Sequence, residues 1–536
     1  MENMKRNFFL LGLIPSIFTM ILTSCASDSS IYTEAYKKQI KSSPVVQTNY
    51  GKVQGVTLER SNVDFYGAIP YAKPPVGDLR WKAPQKCESW DGIRECNYFP
   101  PMEEQTRWGF LMQLVSKQVL HTKFDRTDFA PRSEDCLYLT IWKPSEDNPN
   151  VVNKDKIPVM IYIHGGYLRS GQGWYEPYDG ENFARDGVIA VNIEYRVGIY
   201  GFFTDPELAE ESGNGCCGNY GLMDQAAAIK WVKENIKYFG GDENNITVAG
   251  ESAGSSSVNA MCCTSLTKGM FNRAIGESSS VASKVPPHTY VTKAKNDEIS
   301  AQVKKELGVT TLAEMRNVDA KKLRKYTDRF SGMYVDGYVL TEDPYITYSK
   351  GNNHEEALLN GFNLNESVLL TILYKTDPEK YLETLKALYG DNAQKIYDID
   401  SPKDKKQALD AFHNVMTASW FAYPHQMWTE LSIKNKTPVY LYCFTKENKS
   451  YGNSHFGEMI YAWGNVPHNK VYNDVDFKLE ETMHSYWLNF IKTGNPNGEG
   501  LPQWPQAKDS SGKVFELGEH VGLIENPYAE YFKYFN

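Results

Sequence analysis

The sequence predicts an α/β fold in which helices flank, and are inserted between, the strands of a mainly parallel central sheet. Two apolar runs, Ile157–Ile163 and 187–195, have the length and composition of buried strands. Apolar residues recur at helical spacing over 224–237, and a further apolar run follows, as in a strand, helix, strand unit. Because such crossovers are right-handed, we expect parallel strands and functional side chains at their carboxyl ends.

The amino-acid composition is consistent with one large folded domain. Hydrophobic residues make up 41% of the 536 residues and aromatic residues 13%, which is enough for a sizeable core. The formal net charge of -9 argues against nucleic acid as a partner, because phosphate binding needs a basic surface. We take 41–536 as a single domain.

The first chemical motif is G-x-S-x-G, formed by Gly250, Ser252 and Gly254. It predicts a buried parallel strand over 246–249, a sharp turn at Ser252 and a helix from Ala253. Side chains at the two glycine positions would collide with the neighbouring strand and helix. Such a turn lifts the serine Oγ above the sheet and leaves the N–H of Ala253 facing the same space.

A second motif follows the strand Ile157–Ile163, where the chain reads His164, Gly165, Gly166, Tyr167. A glycine pair after a central strand lets two backbone N–H groups approach a ligand, as in the second half of an oxyanion hole. The alternative is a tight strand-to-loop turn without chemistry. The ring of Tyr167 either lines an acyl pocket or turns away from it.

Other segments complete the expected architecture. Residues 50–64 predict small antiparallel strands, and the prolines and glycines of 65–84 predict a rigid loop without regular structure. Charged, periodic segments at 293–328 and 378–424 predict helices inserted between core strands, and 356–362 and 438–444 predict late strands. Of six histidines after position 366, His455 alone lies in a glycine-bounded loop directly after a predicted strand. It is the candidate partner of Ser252.

Several longer strings identify a family resemblance. The chain contains FGGDENNITVAGESAG at 239–254, SEDCLYLTIWKP at 133–144, FYGAIPYAKPP at 65–75 and a G-x-x-H-x-x-E-x-x-Y loop around His455. Over nearly the whole mature chain it resembles the type-B carboxylesterases, which include the cholinesterases. The resemblance implies an α/β-hydrolase fold and hydrolysis of small-molecule carboxylic esters through an acyl-serine, with no metal or cofactor.

The resemblance also assigns residues. Gly361, Asn363 and Glu366 match the turn that carries the family's triad acid, with Asn365 where an aspartate is usual. It implies a triad in which Ser252 attacks, His455 is the base and Glu366 orients His455. Gly165, Gly166 and Ala253 would donate to the oxyanion. The family's signature cysteine is Cys136, and the resemblance implies a disulfide to Cys96 or, alternatively, to Cys87.

The N-terminus predicts export. Lys5 and Arg6 precede an apolar stretch, 8–22, and the following Leu-Thr-Ser-Cys resembles a bacterial lipobox ending at Cys25. We expect a signal peptide over 1–24, lipidation of Cys25, a polar tether over 25–40 and a cell-envelope location on a membrane. The alternative is an ordinary secretory signal in which this cysteine has no role.

Two other functions remain open. Some relatives keep this fold as non-catalytic adhesion or binding modules, and the same triad serves lipases and acyltransferases. A substrate cleft lined by Trp108, Trp174, Tyr175 and Phe203 is one reading of the aromatic residues, and ordinary packing is the other. The vicinal cysteine pairs at 216–217 and 262–263 lack the spacing of a zinc site.

Overall fold

A twelve-stranded sheet forms the centre of the computed structural model, which describes residues 40–106, 131–284, 289–371, 374–509 and 512–535. A three-stranded sheet lies beside it. Together the strands of these residues are β1 (Ile40–Ser42), β2 (Val46–Gln47), β3 (Lys52–Gln54), β4 (Val56–Leu58), β5 (Val63–Pro70), β6 (Ile93–Glu95), β7 (Tyr138–Pro144), β8 (Ile157–Ile163), β9 (Ile189–Ile193), β10 (Gly241–Glu251), β11 (Arg273–Glu277), β12 (Ala357–Asn363), β13 (Val439–Phe444), β14 (Val514–Leu517) and β15 (Val521–Ile524).

The predicted parallel sheet is confirmed at its centre. The strand order is β1-β4-β5-β7-β9-β8-β10-β11-β12-β13-β14-β15. Every pairing from β9 to β14 is parallel, and the pairings at both edges are antiparallel. The smaller sheet has the order β2-β3-β6. The carboxyl ends of the central strands therefore meet along one edge of the sheet, where the chemistry was expected.

Central strands are buried on both faces, which explains their continuous apolar runs. In β8, Val159 and Ile161 pack into the core on one side of the sheet, while Met160 and Tyr162 pack into the core on the other. This division follows from the two-residue period of a strand. The prediction that 157–163 is a strand matches β8 at both ends.

Helices cover the sheet and fill the predicted insertions. Within the described residues they are Glu181–Arg185, Gly198–Phe202, Pro206–Glu211, Tyr220–Asn235, Ala253–Met261, Lys293–Leu307, Leu312–Arg316, Ala320–Leu323, Pro344–Ser349, Ser367–Leu370, Pro378–Tyr389, Ala393–Asp400, Lys405–Thr417, Tyr423–Lys434, Met459–Ala462, Asp474–Thr493 and Ala529–Phe532. None of these helices is long and apolar enough to cross a membrane. The predicted signal peptide and nearly all of the tether, 1–39, lie outside the described residues.

One segment differs from its prediction. Residues 65–84 were expected to lack regular structure, but Phe65 to Pro70 belong to β5. The strand pairs with β4 and β7, and its register to β7 shifts between Tyr66 and Ile69, where Ala68 has a φ of 51°. A bulge therefore absorbs the irregular residues while the pairing continues on both sides.

The predicted disulfide of Cys136 is absent. Cys136, Cys96 and Cys87 are all free thiols. The Cys136 Sγ instead donates to Oε2 of Glu103 at 3.1 Å, and both side chains are buried. Burial raises the pKa of both Glu103 and Cys136 well above their ordinary ranges. The neighbour of the Cys136 sulfur is thus a carboxyl group and not a second thiol.

Candidate active site

Ser252 lies at a strained turn between β10 and the Ala253–Met261 helix. Its backbone has φ 56° and ψ -126°, a conformation that L residues rarely adopt. A Cβ on Gly250 would lie 2.6 Å from the carbonyl carbon of Gly254, and one on Gly254 would lie 2.0 Å from the oxygen of Ile163. The Ser252 N–H donates to the Glu277 oxygen at 2.8 Å. The two glycines therefore permit the tight turn that the motif predicted.

The structure brings the three predicted triad residues together. Nε2 of His455 lies 2.8 Å from Oγ of Ser252, and its Nδ1 lies 2.6 Å from Oε2 of Glu366. The Glu366 side chain is fully buried, and the His455 side chain is 11% exposed. Ser252 and His455 are 203 positions apart in the chain, so the fold and not the local sequence creates this contact.

The loops after β12 and β13 hold Glu366 and His455 against each other. The second carboxylate oxygen of Glu366, Oε1, accepts the N–H of Asn363 at 2.8 Å. Asn365 forms an isolated parallel bridge with Ser454, next to His455. The backbone of each loop thus fixes the other, and Glu366 is held on Nδ1 of His455.

The glycine loop, residues 164–173, lies against the nucleophile. A Cβ on Gly165 would lie 3.0 Å from the Ser252 Cβ and 2.8 Å from the oxygen of Glu251. Gly166 has a φ of 105°, which favours glycine. Among the described residues, no hydrogen-bond acceptor is bonded to the N–H of Gly165, Gly166 or Ala253. These three groups are available to a ligand beside Ser252.

Tyr167 continues the loop in an uncommon conformation. Its φ is 60°, and Leu168 follows with 58°. The guanidinium of Arg169 lies 4.8 Å from the centre of the Tyr167 ring. A side chain at this position is therefore accommodated by backbone strain, and its ring pairs with a cation on the same loop.

The four aromatic residues proposed for a cleft have different surroundings. Phe203 is completely buried, and Trp174 is 5% exposed, so both pack in the interior. Tyr175 contacts the ring of Phe456, the residue after His455, at 6.2 Å between centroids. Trp108 lies outside the described residues.

Phe421 is an aromatic neighbour of the site that the sequence did not reveal. It belongs to a π-helical turn, Ala418–Ala422, and its ring centroid lies 5.2 Å from that of His455. Such turns occur often at functional sites because they displace one residue toward a ligand. No local pattern distinguishes this turn from the helices around it.

Three further buried carboxyl groups surround the triad, and the sequence predicted none of them as site residues. Oε1 of Glu251 lies 3.3 Å from Nε2 of His455. Glu277 accepts a hydrogen bond from Nε1 of Trp487 at 3.1 Å, and Glu458 is hydrogen-bonded within the same buried region. For the first of these, Glu251, the sequence signal was its position directly before Ser252 in the G-x-S-x-G motif, although its burial against His455 was not visible there. The other two come from distant segments and had no such signal.

Burial and mutual repulsion perturb these groups. Burial raises the pKa of Glu251 and Glu277 well above their ordinary range, and it raises that of Glu458 to about 7. Burial alone lowers the pKa of His455, but the charges of Glu251 and Glu366 and the hydrogen bond to Glu366 outweigh it and raise the value to about 9. The site therefore favours the imidazolium form that appears when a base takes the serine proton.

A serine hydroxyl, an imidazole and a buried carboxyl linked in this way at a strand-to-helix turn define the class of α/β serine hydrolases. In the described part of the chain, no group of three or more His, Cys, Asp or Glu side chains has an arrangement that could hold a metal ion.

Comparisons with known proteins identify the family within that class. A sequence model of the carboxylesterase family matches residues 42–535. The chain is 32% identical to fumonisin B1 esterase of Sphingopyxis macrogoltabida (90% of this chain, 87% of that one). It is 31% identical to para-nitrobenzyl esterase of Bacillus subtilis strain 168 (91% and 97%). A solved structure of a PNB esterase superposes with a TM-score of 0.76 at 29% identity (92% and 99%).

The chain belongs to the carboxylesterase family and has the α/β-hydrolase fold. It is a carboxylic-ester hydrolase.

Proposed function

We propose that Ser252 is the nucleophile of this ester hydrolase, with His455 as the general base and Glu366 as the carboxylate that orients it. The observation that carries this assignment is the pair of contacts of 2.8 and 2.6 Å on the two ring nitrogens of His455. A serine hydroxyl is a poor nucleophile at neutral pH, and a base at hydrogen-bond distance removes its proton during attack. Glu366 fixes the ring tautomer and stabilises the imidazolium.

We propose that Gly165, Gly166 and Ala253 donate to the oxyanion of the tetrahedral intermediate. The position of Gly165 beside Ser252 supports this role, as does the location of Ala253 at the N-terminus of a helix. Each donor in such a site lowers the barrier by about 3 kcal/mol. Collapse of the intermediate expels the alcohol and leaves an acyl-Ser252, which water hydrolyses with the same base.

The assignment is tested with Ser252→Ala. We expect this variant to lose at least about 10³-fold in kcat on a nitrophenyl ester, because no acyl-enzyme can form. A fluorophosphonate should label the parent protein and leave the variant unlabelled. Ser257→Ala is the matched control, since Ser257 is also buried on the same helix and only accepts a bond from Gln225. Equal turnover by the Ser252→Ala variant and its parent would contradict the assignment.

The same experiment separates the two alternatives. A non-catalytic binding module would remain unlabelled by the fluorophosphonate although the triad is assembled. A lipase or acyltransferase would be labelled, and it would differ from a simple esterase in its preference for long acyl chains or for an alcohol acceptor over water.

The substrate is proposed to be a small-molecule carboxylic ester with an apolar group near the carbonyl. The ring of Phe421 against His455 supplies apolar surface at the reacting atoms. The relatives include esterases named for fumonisin B1 and for a para-nitrobenzyl ester. A panel of esters that varies the acyl and alcohol groups separately would define the preference.

We further propose that the protein is an exported bacterial lipoprotein of the cell envelope. This rests on the sequence of 1–40, in which an apolar stretch is followed by the lipobox-like Leu-Thr-Ser-Cys that ends at Cys25. Acyl chains on Cys25 would hold the domain at a membrane, at roughly 0.8 kcal/mol for each buried CH₂.

A further inference from the structure

A buried carboxyl that the proposed mechanism does not use holds the end of the glycine loop. Glu194 directly follows β9 and is 3% exposed. Its Oε1 accepts the N–H of Gly173 at 2.6 Å, while Nδ2 of Asn192 donates to the oxygen of the same glycine at 2.7 Å. Side chains from the end of β9 therefore fix both backbone groups of Gly173, where the loop ends.

The other carboxylate oxygen of Glu194 faces His164, where the loop begins. Nδ1 of His164 lies 2.8 Å from the oxygen of Gly165. Because a carbonyl oxygen only accepts, Nδ1 carries the proton and Nε2 has a free lone pair. That Nε2 is buried and has no hydrogen-bond partner among the described residues. It lies 3.9 Å from Oε2 of Glu194, and a shift of about 1 Å would bring the pair to hydrogen-bond distance.

The surroundings favour the neutral forms of both groups. Burial lowers the pKa of His164 to about 4 and raises that of Glu194 to about 8, although the bond from Gly173 lowers the latter in part. The titratable groups whose pKa the charge of Glu194 raises include the tyrosines at 71, 178 and 195. Burial raises the pKa of all three, so they are uncharged at neutral pH.

We propose that Glu194 is a positioning residue for the glycine loop, held as a neutral acid that accepts from Gly173 through one oxygen and offers its proton to Nε2 of His164 through the other. This fixes His164, whose Nδ1–H holds the Gly165 peptide beside Ser252. Loss of the proton places a carboxylate opposite a lone pair, and the repulsion displaces the loop. The inference rests on the proposed function, because the position of Gly165 matters only if its N–H binds the oxyanion.

Two substitutions test the role. Glu194→Gln keeps an acceptor for Gly173 and an N–H donor for His164 but does not ionise. Glu194→Met has a similar volume and neither group. We expect the Met variant to lose about ten- to a hundredfold in kcat with little change in KM, since the donors act mainly in the transition state. The Gln variant should recover most of the kcat.

The pH profile provides a readout that a merely structural role would not change. Both proteins share the pH dependence that comes from titration of His455. The ratio of kcat for the Gln variant to kcat for the wild type removes this shared dependence. We expect this ratio to be constant in mild acid and to rise as pH passes about 8, where the wild-type Glu194 ionises. Glu355→Gln is the matched control, because Glu355 is 4% exposed and binds the hydroxyl of Tyr348 away from the loop. The ratio of kcat for Glu355→Gln to kcat for the wild type should not change with pH.

The outcomes separate this inference from the proposed function. If the wild type hydrolyses esters and the ratio for Glu194→Gln stays flat over the whole pH range, the positioning role is overturned while the triad assignment stands. If circular dichroism shows that the Met variant misfolds, the pH dependence of the kcat ratio for Glu194→Gln still tests the positioning role. A wild type that neither turns over esters nor reacts with a fluorophosphonate overturns both.

Discussion

His455 lies between carboxyl groups on both of its ring nitrogens. Glu366 is 2.6 Å from Nδ1, and Glu251 is 3.3 Å from Nε2, on the side that also faces Ser252. The first contact orients the ring. The second places a group that can be negatively charged beside the nitrogen that must accept the serine proton.

Replacement of Glu251 by Gln should shift the acid limb of kcat/KM to lower pH. The base must be unprotonated, so activity is lost as pH falls through the pKa of His455. Removing a carboxyl whose charge raises the pKa of His455 lowers that pKa. The measurement is the midpoint of the pH profile of kcat/KM. Glu277→Gln removes an equally buried carboxyl that is bonded to Trp487, and it should leave the midpoint in place.

Residue-level prediction from sequence succeeded where a motif dictates local geometry. Ser252 was identifiable because its glycines have a steric role that is visible in the sequence. Glu194 and Glu251 were not identified as site residues, because a carboxyl becomes a perturbed acid only when distant segments bury it. Glu103 was not expected beside Cys136 for the same reason.

At the scale of elements, the turn after β10 depends on the close packing of β8 against the Ala253–Met261 helix. Gly254 is the point of contact, since a Cβ there would lie 2.0 Å from the oxygen of Ile163. Strand β8 is paired on both sides, by β9 and β10, so it cannot move away without disturbing these pairings.

Gly254→Ala should therefore damage both stability and activity. We expect a loss of about 1–3 kcal/mol in the free energy of unfolding, which is typical of overpacking. We also expect a large fall in kcat, because a shift of the helix displaces Ser252 from its catalytic position. Denaturant unfolding and ester turnover measure the two effects. Gly213→Ala is the control, since Gly213 has a φ of 72° and no atom within 4 Å of its added Cβ. It should lose about 1–2 kcal/mol and keep its kcat, and a matching loss of kcat would contradict the steric argument.

A helix or strand was predictable when its sequence pattern of apolar and polar residues matched the pattern of burial in the structure. The apolar run over 157–163 predicted both ends of β8 correctly. The helix predicted over 224–237 begins earlier, at Tyr220, because its first turn is buried on every side and therefore shows no helical periodicity of apolar residues. Strand β5 was missed because a bulge between Tyr66 and Ile69 accommodates Gly67, while Pro70 is the last residue of the strand. The antiparallel pair β14 and β15 was also missed, since each is only four residues long.

At the scale of the whole molecule, the strand that follows the proposed tether and the site lie in different parts of the sheet. The tether leads into β1, the first strand at one edge, whereas Ser252 follows β10 near the centre. A domain tethered in this way keeps its substrate site at the centre of the sheet, away from the attachment point.

Cys25→Ser should abolish membrane attachment without affecting catalysis. We expect the wild type, expressed in a bacterium, to incorporate a labelled fatty acid and to sediment with membranes, whereas the variant incorporates no label. Cys87→Ser, which changes a thiol in the folded domain, should still be labelled. A wild type that carries no lipid would show that 1–24 is an ordinary secretory signal.

The contact between Glu103 and Cys136 has a consequence for biogenesis. All eight cysteines in the described part of the chain are free thiols, and at this junction a hydrogen bond stands where a covalent cross-link was expected. Maturation of the domain thus has no obligatory oxidative step at this point. Reductants therefore leave this junction intact.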